Sequence, residues 1–250
     1  MQGNGSPFAF QSLPSLSSYS VRSITTTASM TASDQVVFAS TAGGDYTFTL
    51  VNPATLPIGT FLYVEKTTTD FNVLTLSSIS TTLNTNGESV LLMVNASNAW
   101  TLVNRYIPQT ATSYTPTGSW VTNTTYTGYW WRSGRFFETT VKMDLTGAPT
   151  AASLTLTLPN SFVIDTTLLS ILTVGSVITG SQVILRDTGT ARLSGYCTYG
   201  NTTTQVQVMY YATGAAGALD SAVSATAPYT FANTDQISVY YRVPISGWNG

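Results

Sequence analysis

Trp120, Tyr126, Tyr129, Trp130 and Trp131, followed closely by Arg132 and Arg135, are the residues best equipped to recognise a ligand. Aromatic faces stack on sugar rings and guanidinium forks donate to hydroxyls or carboxylates, so the cluster has the chemistry of a glycan-reading site. A protein core or a subunit interface uses the same residue types, because Trp and Tyr are enriched at interfaces. In an extended strand Trp130 and Trp131 point to opposite faces, so at least one is expected to be structural. Tyr210, Tyr211, Tyr240, Tyr241 and Trp248 form a second aromatic set open to both readings.

Catalytic chemistry is harder to assemble. The chain has no histidine and one cysteine. That removes Ser-His-Asp and Cys-His nucleophile systems, histidine-containing or multi-thiolate zinc sites, and an imidazole base near neutral pH. Cys197 lies in the apolar run Gly195-Tyr-Cys-Thr-Tyr199 with no neighbouring cation, and reads as a small buried hydrophobe. No Gly-rich phosphate loop precedes a helix, and no EF-hand spacing occurs. A carboxylate pair of the glycosidase kind is the remaining option, drawn from Glu65, Glu88, Glu138, Asp144, Asp165, Asp187 and Asp235. Glu138 and Asp144, on the outer face of a strand beside Lys142, have the pattern of solubilising groups. The expectation is a protein that is not an enzyme and carries no cofactor and no metal.

The composition explains what these residues rest on. The chain is 43% hydrophobic and only 8% charged, against about 25% charged in ordinary soluble domains. Its polarity comes from Thr, Ser, Asn and Gln, and β-branched threonine suits a pleated, half-exposed surface. An all-β fold follows. A net charge of −2 with scattered arginines gives no footprint for nucleic acid, and weak self-repulsion leaves surfaces free to meet protein. The N-terminus has no basic start and apolar run of a signal peptide. Leu168 to Leu185 is interrupted by Ser170, Thr173, Ser176, Thr179 and Gln182, and reads as strands and a turn, not a membrane span. A soluble product made in a cytoplasm, without membrane insertion, is expected.

Four segments separate. Residues 1–24 are Gly/Ser/Pro-rich yet carry Phe8, Phe10, Leu13, Leu16 and Tyr19, which fit either a docking arm that orders against a larger particle or a terminus packed on its own domain. Residues 25–106 read as short strands at 35–39, 46–51, 61–66, 73–77, 90–94 and 100–103, enough for a small sandwich or barrel. Residues 107–117, with two prolines, read as a linker. From 118 to 250 longer alternating strands return. Phe137, Val141, Met143 and Leu145 face one side and Glu138, Lys142 and Asp144 the other. Leu154, Leu156 and Leu158, then Val206 and Val208, then Ile237, Val239 and Tyr241 repeat the pattern. Such strands without a helical period indicate a sandwich such as a jelly roll.

Two stretches resemble known proteins. Residues 25–103, with TASDQVVF at 31–38 and the Ser89-Val-Leu-Leu … Trp100 close, resemble a small β module of phage fibre and appendage proteins. Trp120-VTNTTYTGYWWRSGRF, GAPTAASLTLTLP (147–159), VIDTTLL (163–169) and the ending DQISVYYRVPISGW resemble a C-terminal head similar to the C1q/TNF-like jelly roll, which usually assembles as a trimer. The resemblance implies a bacteriophage virion structural protein: a homotrimeric short head or tail fibre, docked to capsid or tail proteins by Phe8, Phe10, Leu13, Leu16 and Tyr19. Its head would contact host surface, glycan included. Trp120, Tyr129, Trp130, Trp131, Arg132, Tyr240 and Trp248 would form its trimer interface or ligand contact. The alternative within the same setting is a capsid decoration or cement protein that secures the shell.

Overall fold

The computed structural model describes residues 19–174, 177–199, 202–211 and 221–248. Its regular structure is almost entirely strand. In the first unit, β1 (Val21–Ile24), β3 (Val36–Ala39), β5 (Phe61–Lys66), β8 (Ser89–Val94) and β9 (Trp100–Tyr106) form one sheet in that order. A second sheet joins β2 (Ala28–Ser29), β4 (Tyr46–Thr49), β6 (Leu74–Leu76) and β7 (Thr81–Leu83). The inward positions of the two sheets, among them Val37, Phe48, Leu62, Leu74, Leu76 and Leu92, share one buried core.

The winding of this small two-layer unit is not the hairpin arrangement that short strands and tight turns suggest. From β1 to β6 the chain crosses between sheets after every strand, so β1–β3–β5 and β2–β4–β6 pair in parallel. Only β7, β8 and β9 add antiparallel pairs. Val21–Ile24, within the segment read as an arm, is already a strand of this unit.

The second unit is built on one continuous sheet. Its strands are β10 (Thr112–Tyr114), β11 (Thr117–Gly118), β12 (Thr124–Ser133), β13 (Phe136–Leu145), β14 (Thr155–Thr157), β15 (Thr173–Val174), β16 (Val177–Ile178), β17 (Gln182–Asp187), β18 (Ala191–Tyr199), β19 (Gln205–Tyr210), β20 (Ser221–Ala222) and β21 (Gln236–Pro244). The order runs β10-β12-β13-β21-β17-β18-β19-β14-β11, with β15, β16 and β20 as short additions. Only Thr115 and Pro116 separate the two end strands in the chain, so the ends of the sheet lie side by side and the sheet curls around its own core. The segment read as a linker therefore supplies β10 and opens β11.

Period-two alternation sets the inside of the curl. On β13, Phe137, Val141, Met143 and Leu145 are buried, as are Leu154, Leu156 and Leu158 around β14 and Ile237, Val239 and Tyr241 on β21. Cys197 is fully buried among them, and burial pushes its thiol pKa up. Gly195 lets β18 press on β19, since a Cβ there would overlap the Met209 carbonyl.

One element departs from the expected strands. Thr166–Leu172 is a helix, α1. Asp165 starts it: its Oδ1 accepts from the Leu168 N–H at 3.0 Å and its carbonyl from the Leu169 N–H at 2.9 Å, the action of an N-cap. No helix among the described residues is long and apolar enough to cross a membrane.

Candidate functional site

The aromatic and arginine residues around β12 split by strand parity between an interior junction and an outer face. At the junction, Trp130 stacks between Phe71 of the first unit (4.8 Å between centroids, 28° between planes) and Phe137 (5.7 Å, 20°). Arg132 is fully buried, and its Nη1 donates to both oxygens of Glu88 at 2.8 and 3.0 Å. Arg105 approaches the same carboxylate at 2.6 Å. The other side of Glu88 accepts the N–H groups of Asn84 and Thr85. Trp248 lies 4.7 Å under the Arg132 guanidinium, a cation–π contact. Burial pulls the Arg132 pKa down to about 10, against the pull of Glu88 and together with the repulsion from Arg105.

Of the residues singled out for interface or ligand contact, Trp120, Trp130, Arg132 and Trp248 are therefore inside one copy of the chain. Trp120 packs edge-on against Phe231 and its Nε1 donates to the Ala152 carbonyl. Tyr129, Trp131 and Tyr240 face outward. Trp131 and Tyr240 stack at 6.4 Å and 28°, and the Tyr240 hydroxyl donates to Glu138, itself 3.3 Å from Arg242. Of the second aromatic set, Tyr241 is buried in the curl and Tyr211 is exposed against Tyr196. Arg135 pairs with the capping Asp165. Phe8, Phe10, Leu13 and Leu16 lie outside the described residues, whereas Tyr19 packs edge-on against Phe61 at 5.6 Å.

Burial of tyrosines makes the protein sensitive to alkali. Tyr114, hydrogen-bonded to Thr139 at 2.8 Å, and Tyr126, donating to the Trp120 carbonyl, have pKa values raised to about 12, mainly by burial. Burial also raises Tyr229 and Tyr241. Above the ordinary phenol pKa of 10.0 the unfolded chain has released protons that the folded state still holds, so stability falls as pH rises. Arg132 and Lys66, both shifted downward by burial, act with the opposite sign over that range, but the groups shifted upward outnumber them, since burial also raises Tyr63, Tyr240 and Cys197. Urea midpoints are expected to fall steadily from pH 10 to 12, and Tyr114→Phe should flatten that slope. An unchanged slope in the variant would contradict this assignment.

Two outer surfaces remain. The face of the five-stranded sheet turned away from the core carries Val21, Val36, Phe38, Phe61, Tyr63, Leu91 and Met93, with Val36, Tyr63 and Leu91 in one row across β3, β5 and β8. Ser23 and Glu65 flank Phe38 in the next row and Thr101 stands opposite Met93, so this second face is largely but not wholly apolar.

The second surface is a groove of 560 Å³ across the outside of β12, β13, β21, β17 and β18. The short side chains of Thr127, Thr140 and Ser238 line it together with the longer Tyr129, Lys142, Arg186 and Arg192, Lys142 lying between Thr127 and Ser238 in register. Lys142 pairs with Asp144 at 2.8 Å, which holds the Asp144 carboxyl below its usual range. Gln236 bridges Asp144 to Arg186. Sequence reasoning singled out Tyr129 here but not Arg186 or Arg192. Their signal, two arginines on successive strands, acquires meaning only once β17 and β18 are in register.

No protein-family model matches the chain, and no curated protein matches it significantly. Among solved structures it is similar to the Dettilon tailspike protein, with 11% identity and a TM-score of 0.39 over 90% of this chain and 43% of that one. The chain spans less than half of that tailspike's length.

Proposed function

We propose that this chain is a non-catalytic bacteriophage virion structural protein: a homotrimeric short head or tail fibre that docks through its N-terminal segment and turns its curled β unit toward the host surface. The observation that carries this reading is the largely apolar outer face of the five-stranded sheet. A sheet whose second face is also largely apolar gains from cover on both sides, and the core covers one. Contact with other protein is the use such a face has, and a chain with 8% charged residues presents little repulsion to it. The trimeric state and the outward head follow from the resemblance of residues 120–248 to C1q/TNF-like heads. Three heads on one axis would turn weak single contacts into avidity.

Sedimentation of the full chain at micromolar concentration is expected to give a trimer, and Phe38→Lys with Met93→Lys to give a folded monomer. A monomeric parent protein would overturn the trimer. Removing residues 1–18, a cut that spares β1, should leave a trimer that no longer binds particles. Particles lacking the protein that adsorb normally but rupture on heating would identify a cement protein instead of a fibre.

A further inference from the structure

We propose that the groove on the outside of the second unit binds an acidic oligosaccharide, one carboxylate held by Arg186 and Arg192 and its successive rings running past Ile184 toward Tyr129 across the strands. The proposal rests on reading this unit as the outward-facing head, and adds the chemical class of what that head touches. Arg186 and Arg192 are register partners on β17 and β18. Like charges directly opposite each other on one sheet face repel, and among the described residues neither arginine has a carboxylate partner. Arg186 is hydrogen-bonded to Gln236 at 3.0 Å, which orients its guanidinium without neutralising it. Asp144, which Gln236 links to Arg186, is already taken by Lys142 and Gln236. The groove therefore carries excess positive charge on a protein whose net charge is −2, and an anion is the ligand that removes the repulsion.

The rest of the groove suits a sugar. Thr127, Thr140 and Ser238 among its lining offer hydroxyls as donors and acceptors. Tyr129 is 56% exposed and Ile184 36%, so an aromatic ring and an aliphatic side chain stand open at the wall, as sugar-ring packing requires. The volume of 560 Å³ lies within the usual range for small-molecule sites. Paired guanidiniums give charge-assisted hydrogen bonds to a carboxylate that water-exposed single charges do not match.

The test is calorimetric titration of the full-length protein with tetragalacturonate, its fully methyl-esterified form and glucose 1-phosphate at low salt. Binding of tetragalacturonate is expected, with loss on methyl esterification and weakening by about tenfold or more in R186Q/R192Q. The variant should keep the parent melting temperature and trimeric state, since both arginines are exposed. Equal affinity for the acid and its ester, unchanged affinity in the variant, binding of glucose 1-phosphate alone, or no binding at millimolar probe would each overturn the assignment. Dissociation of the variant into monomers would place the groove at a contact between copies and overturn it as well. Failure here with particle docking and trimerisation intact would leave the virion role standing.

Discussion

Glu88→Ala is expected to destabilise the whole protein by roughly 3–5 kcal/mol, the range for removing one partner of a buried ion pair. Glu88 is fully buried and stands between Arg132 and Arg105, while its second oxygen accepts the Asn84 and Thr85 N–H groups. Its loss removes two charge-assisted hydrogen bonds from the fully buried Arg132 guanidinium and takes the acceptor from the Asn84 and Thr85 N–H groups. Arg132→Met should cost less. Glu88 then keeps Arg105 and the two turn amides, and a methionine fills much of the space under Trp248. Urea denaturation of both variants checks the order. An Arg132→Met loss equal to that of Glu88→Ala would mean that the pair itself, and not Glu88 as the shared acceptor, carries the stability.

Trp130→Ala should also cost about 3–5 kcal/mol, the range for truncating a large buried aromatic. Trp130 is 1% exposed and sandwiched between Phe71 and Phe137, so its removal opens a cavity where the two units meet. Phe71 comes from the first unit and packs on the core of the second, touching Tyr114 and Phe162 as well. The effect should therefore exceed simple destabilisation: the parent is expected to unfold in one transition, and the variant in two, as the units lose their shared packing. Trp131→Ala, one residue along and on the outer face, should change stability by less than about 1 kcal/mol. Trp130→Phe is expected to recover most of the loss, because the indole Nε1 has no hydrogen-bond partner among the described residues. A Trp130→Ala protein that unfolds in one transition with an unchanged midpoint would refute this account.

Much of this was legible before any coordinates. The opposite faces of Trp130 and Trp131, the inward run Phe137, Val141, Met143 and Leu145, and the burial of Cys197 all follow from a side-chain period of two and from residue polarity. The helix at Thr166–Leu172 was hidden because one capping aspartate is a weak local signal beside a Thr-rich, strand-like background. The parallel winding of the first unit was hidden too. Alternation reports which face of a strand is covered, but not to which sheet the chain crosses next.

The candidate groove and the junction depend on such pairings. Arg186 and Arg192 are near neighbours in the chain, yet only the β17–β18 register sets them opposite each other, and only β21 brings Gln236 and, through it, Asp144 beside them. Glu88 and Arg132 are 44 residues apart and meet because the curled sheet seats β12 against the first unit. What the chain determined by itself was the kind of structure and the chemistry it lacks: β-branched, alternating and without histidine. Tertiary structure decided which charges are neutralised and which are left over, because Coulomb energy and desolvation depend on distance and burial across strands that the chain connects only through turns and crossovers.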